Sequence, residues 1–409
     1  MGWDPGTRPD WVAAVNRGEI EPITEEAARP FTRDGVLAEA LAVDGSDDGM
    51  AAFGDERFLE PLDVLLPALE DEAQLTVLGR WLTRRFLQRL LVGRIQQERY
   101  VRSDPGVRDE VIEAPVFVAG APRTGTTILH ALLVEDPNLR APLGWELLRP
   151  LPPPTGVEDG RVELAEAELR MLARVTPTMD AIHEYGARNA KECLSAMSFE
   201  LQSEELTARY HVPSYVAWFQ ASDMTPAYER HKLVLQILQR RTGPASWVLK
   251  SPVHLHNLDA LLAVYPDARL AFTHRDPMAV LASATSLVAN LRWVHSDHPD
   301  FAEVGRYHVD LFTRSLDGLV DRELPAGRFH HGHYADFLAS PIETVHAVYD
   351  ALGLEWSSEL EARMAAHLAA KPQGRHGEHS YSFDDLGVDR ASVAAGFARY
   401  VSHFEVPTA

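Results

Sequence analysis

Val116-Phe-Val-Ala-Gly120-Ala-Pro-Arg-Thr-Gly125-Thr-Thr127 is a β-branched run that enters a glycine-punctuated turn and leaves it on two threonines opening an amphipathic stretch. The pattern predicts a short buried strand, a tight turn and a helix starting near Thr126. Such a turn presents backbone N–H groups as a concave nest, and the helix start adds its positive dipole end. Arg123, Thr126 and Thr127 bring side-chain donors to the same place. The segment reads as a cradle for a phosphorylated ligand, weighed against an ordinary strand-to-helix turn.

The spacing from Gly120 to Thr127 is that of G-x-x-x-x-G-K-[ST], but Thr126 stands where a nucleotide-hydrolysing P-loop carries lysine. Without a lysine to span the outer phosphates, ATP or GTP chemistry is disfavoured. Arg123 still suits a smaller anionic group at the helix start.

Two further segments end on cations. Thr273-His-Arg275-Asp-Pro277 closes a strand pattern and opens a helix near Pro277, which sets Ser283 nearly two turns in, facing back toward Arg275. Those two side chains are expected to hold one phosphate. Ser246-Trp-Val-Leu-Lys250-Ser-Pro252 ends a third buried strand on Lys250. Strand patterns near 116–120, 247–250, 269–274 and 328–333 alternate with helical ones, which predicts an α/β fold. Its sheet is expected to be parallel and doubly wound, with ligand at the strand C-terminal ends.

Pro122-Arg123-Thr124-Gly125-Thr126-Thr127 resembles the 5′-phosphosulfate loop of sulfotransferases, whose second residue is lysine in cytosolic enzymes and arginine in Golgi tyrosylprotein and bacterial types. Arg275 and Ser283 match, at the same spacing, the pair that binds the 3′-phosphate of 3′-phosphoadenosine 5′-phosphosulfate. Leu249-Lys250-Ser-Pro resembles the lysine segment between those motifs, and His333-Tyr334-Ala-Asp-Phe the tyrosine segment near the adenine. The likeness runs in order over about residues 115 to 400 and is greatest to the bacterial branch, in which Pro142-Leu-Gly-Trp-Glu146-Leu-Leu follows the first helix. It implies a sheet of P-loop nucleoside triphosphate hydrolase type with large helical additions. It also implies transfer of a sulfonate group to a hydroxyl of a small acceptor, with 3′-phosphoadenosine 5′-phosphosulfate as co-substrate and no metal.

On that resemblance Arg123, Thr124, Gly125, Thr126, Thr127, Arg275, Ser283 and Tyr334 bind the donor, and Arg123 and Lys250 stabilise the leaving phosphate. Arg375, between Gly374 and Gly377, resembles the basic loop that closes over the 3′-phosphate, though it also reads as a plain surface loop residue. For the general base, Glu146 stands where tyrosylprotein enzymes carry a catalytic glutamate. His254 competes, four residues after Lys250 where cytosolic enzymes place a histidine two after; His183 is a third candidate. The pairs His331/His333 and His254/His256 invite a metal reading, but no cysteine or H-E-x-x-H accompanies them, and no metal is expected. A P-loop kinase of a small metabolite, or a non-catalytic nucleotide-binding module, are the other readings.

A formal charge of −21 would repel a polyphosphate backbone, so a nucleic-acid partner is not expected. The single cysteine, Cys193, excludes an internal disulfide and suits a reducing compartment. With no basic-then-apolar leader and no apolar run near the ~20 residues of a span, a cytoplasmic location is expected. Leu75, Leu78, Leu82, Phe86 and Leu90 form a helical stripe flanked by Arg84, Arg85, Arg89 and Arg94, expected to be solvated or salt-bridged. We divide the chain into a helical N-terminal extension, 1–110, packed on a 111–409 domain with a helical insertion at about 160–240. Tyr185, Phe199, Tyr215, Trp218 and Phe219 of that insertion are expected either to line an apolar acceptor pocket or to pack a core. Oligomeric state is open, a homodimer included.

Overall fold

β1 (Val116–Ala119) is the central strand of a five-stranded sheet. With β2 (Leu139–Arg140), β3 (Ser246–Lys250), β4 (Arg269–His274) and β5 (Phe329–His333) it gives the order β2-β3-β1-β4-β5, every pairing parallel. The computed structural model describes residues 3–153, 156–179, 186–324, 327–370 and 382–408. The four expected strands are present within a residue or two of their predicted limits. β2 was not foreseen, because two residues carry no periodicity to read.

Both faces of β1 are buried, as its unbroken apolar run requires. Val116 and Val118 join Val248, Ala271, Leu129, Leu132 and Tyr349 on one side. Phe117 and Ala119 join a larger cluster on the other, reaching from Phe31 near the N-terminus to Val406. Parallel register aligns Val118 with both Lys250 and Ala271, so the ends of β3, β1 and β4 lie along one edge of the sheet.

The main helices carry chain-order labels: α1 (Val77–Ser103), α2 (Thr126–Leu133), α3 (Gly144–Leu148), α4 (Pro213–Ala221), α5 (Thr225–Thr242), α6 (Pro277–His295), α7 (Phe301–Val320) and α8 (Arg390–His403). Thr76 caps α1 by accepting from the Gly79 N–H at 3.0 Å, and Leu78, Phe86 and Leu90 turn its stripe inward. Leu75 stands before the helix, bridged to Ser296. Its arginines are salt-bridged: Arg84 to Glu39, Arg85 to Glu26 and Arg89 to Glu168. Arg94 departs from a solvated face, being fully buried between Glu200, Asp55 and the Phe53 carbonyl.

The described residues between 161 and 242 are largely helical, and the aromatics among them pack a core, one of the two roles expected of them. Phe199, Tyr215 and Phe219 belong to the large cluster, and the Tyr215 hydroxyl donates to the Leu201 carbonyl at 2.6 Å. Trp218 donates its indole N–H to Glu60 at 2.9 Å, joining α4 to the helix Leu59–Asp71. Trp218 thereby ties this segment to the N-terminal helices. Tyr185 lies outside the described residues. Among the described residues no helix is long and apolar enough to cross a membrane.

Candidate active site

The turn after β1 is built for close approach. Gly120 packs so tightly on β4 that a Cβ there would lie 2.4 Å from the Thr273 hydroxyl and 2.8 Å from its carbonyl oxygen. Arg123 (φ 70°) and Gly125 (φ 95°) take left-handed backbone, which curls the loop back on the strand end. The Thr124 hydroxyl ties the loop down, donating to the Ala121 carbonyl at 2.7 Å and lying 2.7 Å from the Thr273 hydroxyl. That bonding faces the protein, so Thr124 has its backbone N–H to offer a ligand. α2 then starts at Thr126 with no side-chain cap, which leaves its first N–H groups pointing out of the loop as an anion seat.

Three strand ends converge on this seat. From β4, Arg275 donates to the Arg123 carbonyl at 2.8 Å, and its guanidinium lies 4.3 Å from the centre of the Tyr334 ring. From β5, Tyr334 closes on the loop, its ring carbon 2.9 Å from where a Gly125 Cβ would stand. From β3, Lys250 is almost wholly buried and directs its ammonium to Thr127 Oγ1 at 3.4 Å and to the Glu192 carboxylate at 2.5 Å. Ser283 lies on the second turn of α6, whose N-cap Asp276 accepts from the Met278 N–H at 2.9 Å. Arg123, Gly125, Thr126, Thr127, Lys250, Arg275 and Tyr334 are thus gathered at one edge of the sheet.

Two of the expected bases, Glu146 and His254, have their described contacts away from this seat. Glu146, in α3, accepts from the Leu143 N–H at 2.9 Å and from Arg140 at 2.7 Å. Arg140 belongs to β2, stacks on Trp247 and bonds Thr242, groups at the opening end of β3. That end is on the order of 10 Å along the strand from Lys250. His254 is fully buried, its Nδ1 2.9 Å from the Tyr228 hydroxyl and its ring edge-on to Phe117 beneath the sheet. Burial, then the neighbouring His231, His256 and Lys250, push its pKa well below the ordinary value. His183 and Arg375 lie outside the described residues. His331 stacks against His274 and Phe404, which also stack on each other, and the His256 Nδ1 meets the Ser315 hydroxyl.

Sequence reading missed Glu192 and Glu204. Glu192 is held between two backbone bonds, Lys191 N–H to the Pro142 carbonyl at 3.0 Å and Cys193 N–H to the Lys250 carbonyl at 3.1 Å. Its carboxylate therefore has to lie beside the Lys250 end of β3. Glu204, nearby, is pushed up to about 8 by burial and by the Glu192 charge. Burial also pushes the Cys193 thiol up to about 12, so it is an inert core group. No local motif separates Glu192 from the other 59 of the chain's 60 acidic residues; only the fold brings it to Lys250.

A family model described as "Sulfotransferase family" matches residues 115–358, and the chain belongs to that family. It is similar to the sulfotransferase STF1 of Mycobacterium tuberculosis, with 33% identity, a TM-score of 0.75 and coverage of 90% of this chain and 98% of that one. It is similar also to STF9 of Mycobacterium avium, with 28% identity, a TM-score of 0.79 and coverage of 93% and 98%. Among curated proteins, the omega-hydroxy-beta-dihydromenaquinone-9 sulfotransferase of Mycobacterium bovis is 29% identical over 263 residues, 60% of this chain. The chain spans 64% of the length of that relative.

Proposed function

We propose that this protein moves a sulfonate group from 3′-phosphoadenosine 5′-phosphosulfate to the hydroxyl of a small apolar acceptor. The observation that carries the reading is the convergence of Arg275, Tyr334 and Lys250 on the uncapped start of α2. A ligand phosphorylated at both ends uses both cationic positions. The N–H groups of residues 124–127 hold the 5′-phosphate, Arg275 and Ser283 hold the 3′-phosphate, and Tyr334 flanks the adenosine. Arg375, outside the described residues, is proposed as a further contact to the 3′-phosphate.

The donor supplies an electrophilic sulfur with a good leaving group. What the protein adds is charge and alignment: Lys250 and Arg123 neutralise the oxygen that keeps the bond electrons, and the loop fixes the line of attack. Those cations make a metal unnecessary for charge stabilisation. A relative named as an omega-hydroxy-beta-dihydromenaquinone-9 sulfotransferase supports a hydroxylated acceptor. The pairing of Glu146 with Arg140 and the burial of His254 weigh against either as the proton acceptor. A reducing cytoplasm suits the unpaired Cys193.

The test is a titration of the full chain with adenosine 3′,5′-bisphosphate and, in parallel, with ATP and Mg²⁺. It is followed by turnover with labelled donor and a panel of prenyl alcohols, phenols and hydroxylated quinols in excess EDTA. We expect the bisphosphate to bind at least tenfold more tightly than ATP and sulfonation to persist in the chelator. Tighter ATP binding with Mg²⁺-dependent phosphoryl transfer would replace this reading with the kinase. Bisphosphate binding without turnover of any compound would leave the non-catalytic module.

A further inference from the structure

We propose that α8 belongs to the donor site in function: Tyr400 and Phe404 set where Arg275 and Tyr334 stand. The inference rests on the sulfotransferase reading and adds to it the residues that position the 3′-phosphate cation. Its ground is where the sheet runs out. β1 pairs with β4 no further than Ala119 opposite Phe272, since the chain then turns at Gly120. β4 and β5 pair on past that point and end with His274 opposite His333. Arg275 and Tyr334 are the next residue on each strand, so their backbone rests on a pair of strands that β1 no longer supports.

α8 supplies what the sheet lacks there. The Tyr400 hydroxyl lies 2.7 Å from His274 Nδ1 in a buried contact. Burial raises the Tyr400 pKa, and the Arg275 backbone N–H beside the hydroxyl lowers it, so this one hydroxyl serves both residues that close β4. The helix then ends in a turn in which Glu405 takes left-handed backbone (φ 51°) and the Val406 N–H reaches back to the Val401 carbonyl at 2.9 Å. Carbonyls at a helix end have no partner inside the helix. That of Phe404 finds one in β5, accepting from His333 Nε2 at 2.7 Å.

The Phe404 ring adds a second hold. Its centre lies 4.4 Å from that of His274 with 18° between the planes, and 5.0 Å from that of His331 with 22°. His274 Nε2 is in turn 2.9 Å from His331 Nδ1, so the ends of β4 and β5 are bound to each other and to α8. Tyr400 and Phe404 stand four positions apart, on one face of the helix end. α8 is itself anchored elsewhere: Phe397 and Val406 belong to the large core cluster, and Arg399 pairs with Asp321 at the end of α7.

What this does for the ligand follows from the length of an arginine. The Arg275 side chain spans from the end of β4 to the Arg123 carbonyl and the Tyr334 ring. Its cation is only as well placed as the backbone that carries it, and freedom left in the empty site is lost when phosphate binds. Tyr400 acts on Arg275 through His274, and Phe404 acts on Tyr334 through His333. Both are positioning residues.

Calorimetric titration of the full chain tests this without an acceptor. Tyr400→Phe keeps the ring and removes the hydroxyl. It should weaken adenosine 3′,5′-bisphosphate by about three- to tenfold, the size of one lost hydrogen bond, and AMP by less than about twofold. A helix that merely holds the fold together would shift both ligands alike, and that result would overturn the proposal. In an Arg275→Ala background the same change should weaken the bisphosphate by less than about twofold, because the residue it positions is gone. Losses that multiply would overturn it, as would wild-type affinity in Tyr400→Phe. With the compound of the panel that the wild type sulfonates fastest, Tyr400→Phe should raise the donor KM while kcat at saturating donor stays within about twofold. If Tyr400→Phe does not fold, a second pair carries the test. Phe404→Leu loses the flat ring and should weaken the bisphosphate by at least about threefold, whereas Phe404→Tyr keeps the ring and should bind as the wild type does. Equal affinities for that pair would overturn the proposal. Wild-type protein that binds no bisphosphate would instead fail the sulfotransferase reading itself.

Discussion

The guanidinium of Arg275 lies 4.3 Å from the centre of the Tyr334 ring while donating at 2.8 Å to the carbonyl of Arg123, so one side chain ties two strand ends to the loop. In the proposed site the same cation meets the 3′-phosphate. Arg275→Ala should weaken adenosine 3′,5′-bisphosphate by about 10- to 100-fold, the size of a lost charged hydrogen bond. AMP, which has no 3′-phosphate, should lose far less. Equal losses for the two ligands in parallel titrations would remove Arg275 from the 3′-phosphate.

Gly125 joins two constraints, a φ of 95° and a Cβ position 2.9 Å from a Tyr334 ring carbon. Gly125→Ala should cost about 1–2 kcal/mol through left-handed strain and push the tyrosine off the loop. Chemical denaturation should show the stability loss, and bisphosphate titration a drop of at least tenfold in affinity. Normal binding would mean that Tyr334 does not shape the nucleotide site.

Glu146 closes α3 onto β2 through Leu143 and Arg140. Glu146→Ala should therefore destabilise the chain by about 1–3 kcal/mol, the range for a buried donor left without its partner. Its kcat, measured well below the unfolding midpoint, should stay within a few-fold of wild type. A hundredfold fall in kcat with unchanged stability would return Glu146 to the role of base.

Burial pushes His231, His295 and His308 down to about 3, far below their unfolded value near 6.5. Between those values the unfolded chain binds more protons than the folded one, so stability rises with pH there and is lost as pH falls below about 6.5. Each such histidine removes about 1.4 kcal/mol for every pH unit below that point. The urea midpoint should fall steeply from pH 7 to pH 5, before most carboxylates titrate. A flat midpoint over that window would contradict the buried, neutral histidines.

Arg94 and Arg230 share the buried Glu200, with Glu98 and Asp55 at either side. Arg94→Met takes one cation away and leaves Glu200 partly uncompensated in the core. We expect a loss of about 3–5 kcal/mol in equilibrium unfolding. A loss under about 1 kcal/mol would mean that Arg230 alone neutralises Glu200.

Much of the candidate site's geometry was legible because its parts are local. A nest is made by consecutive backbone groups, so Gly120 and Gly125 announce it at their spacing, and Pro277 announces the helix that carries Ser283. The ends of β3 and β4 were equally legible, from apolar runs that close on Lys250 and just before Arg275. In a parallel sheet all such ends share one edge. The two-residue β2 left no signal, although it is what draws Arg140, and with it Glu146, to the opening end of β3.

The fate of side chains that meet partners far along the chain belongs to the tertiary structure. Whether Glu146 is free or paired depends on Arg140, and whether His254 is open or shut depends on Tyr228 and Phe117. Phe199, Tyr215 and Phe219 have the composition of a pocket and the environment of a core, and composition alone does not separate the two. Glu192 stands 58 positions before Lys250 with no motif between them. Backbone geometry repeats over a few residues and leaves a periodic trace in sequence. The pairing of one carboxylate with one ammonium depends on where two distant segments are packed, and it leaves none.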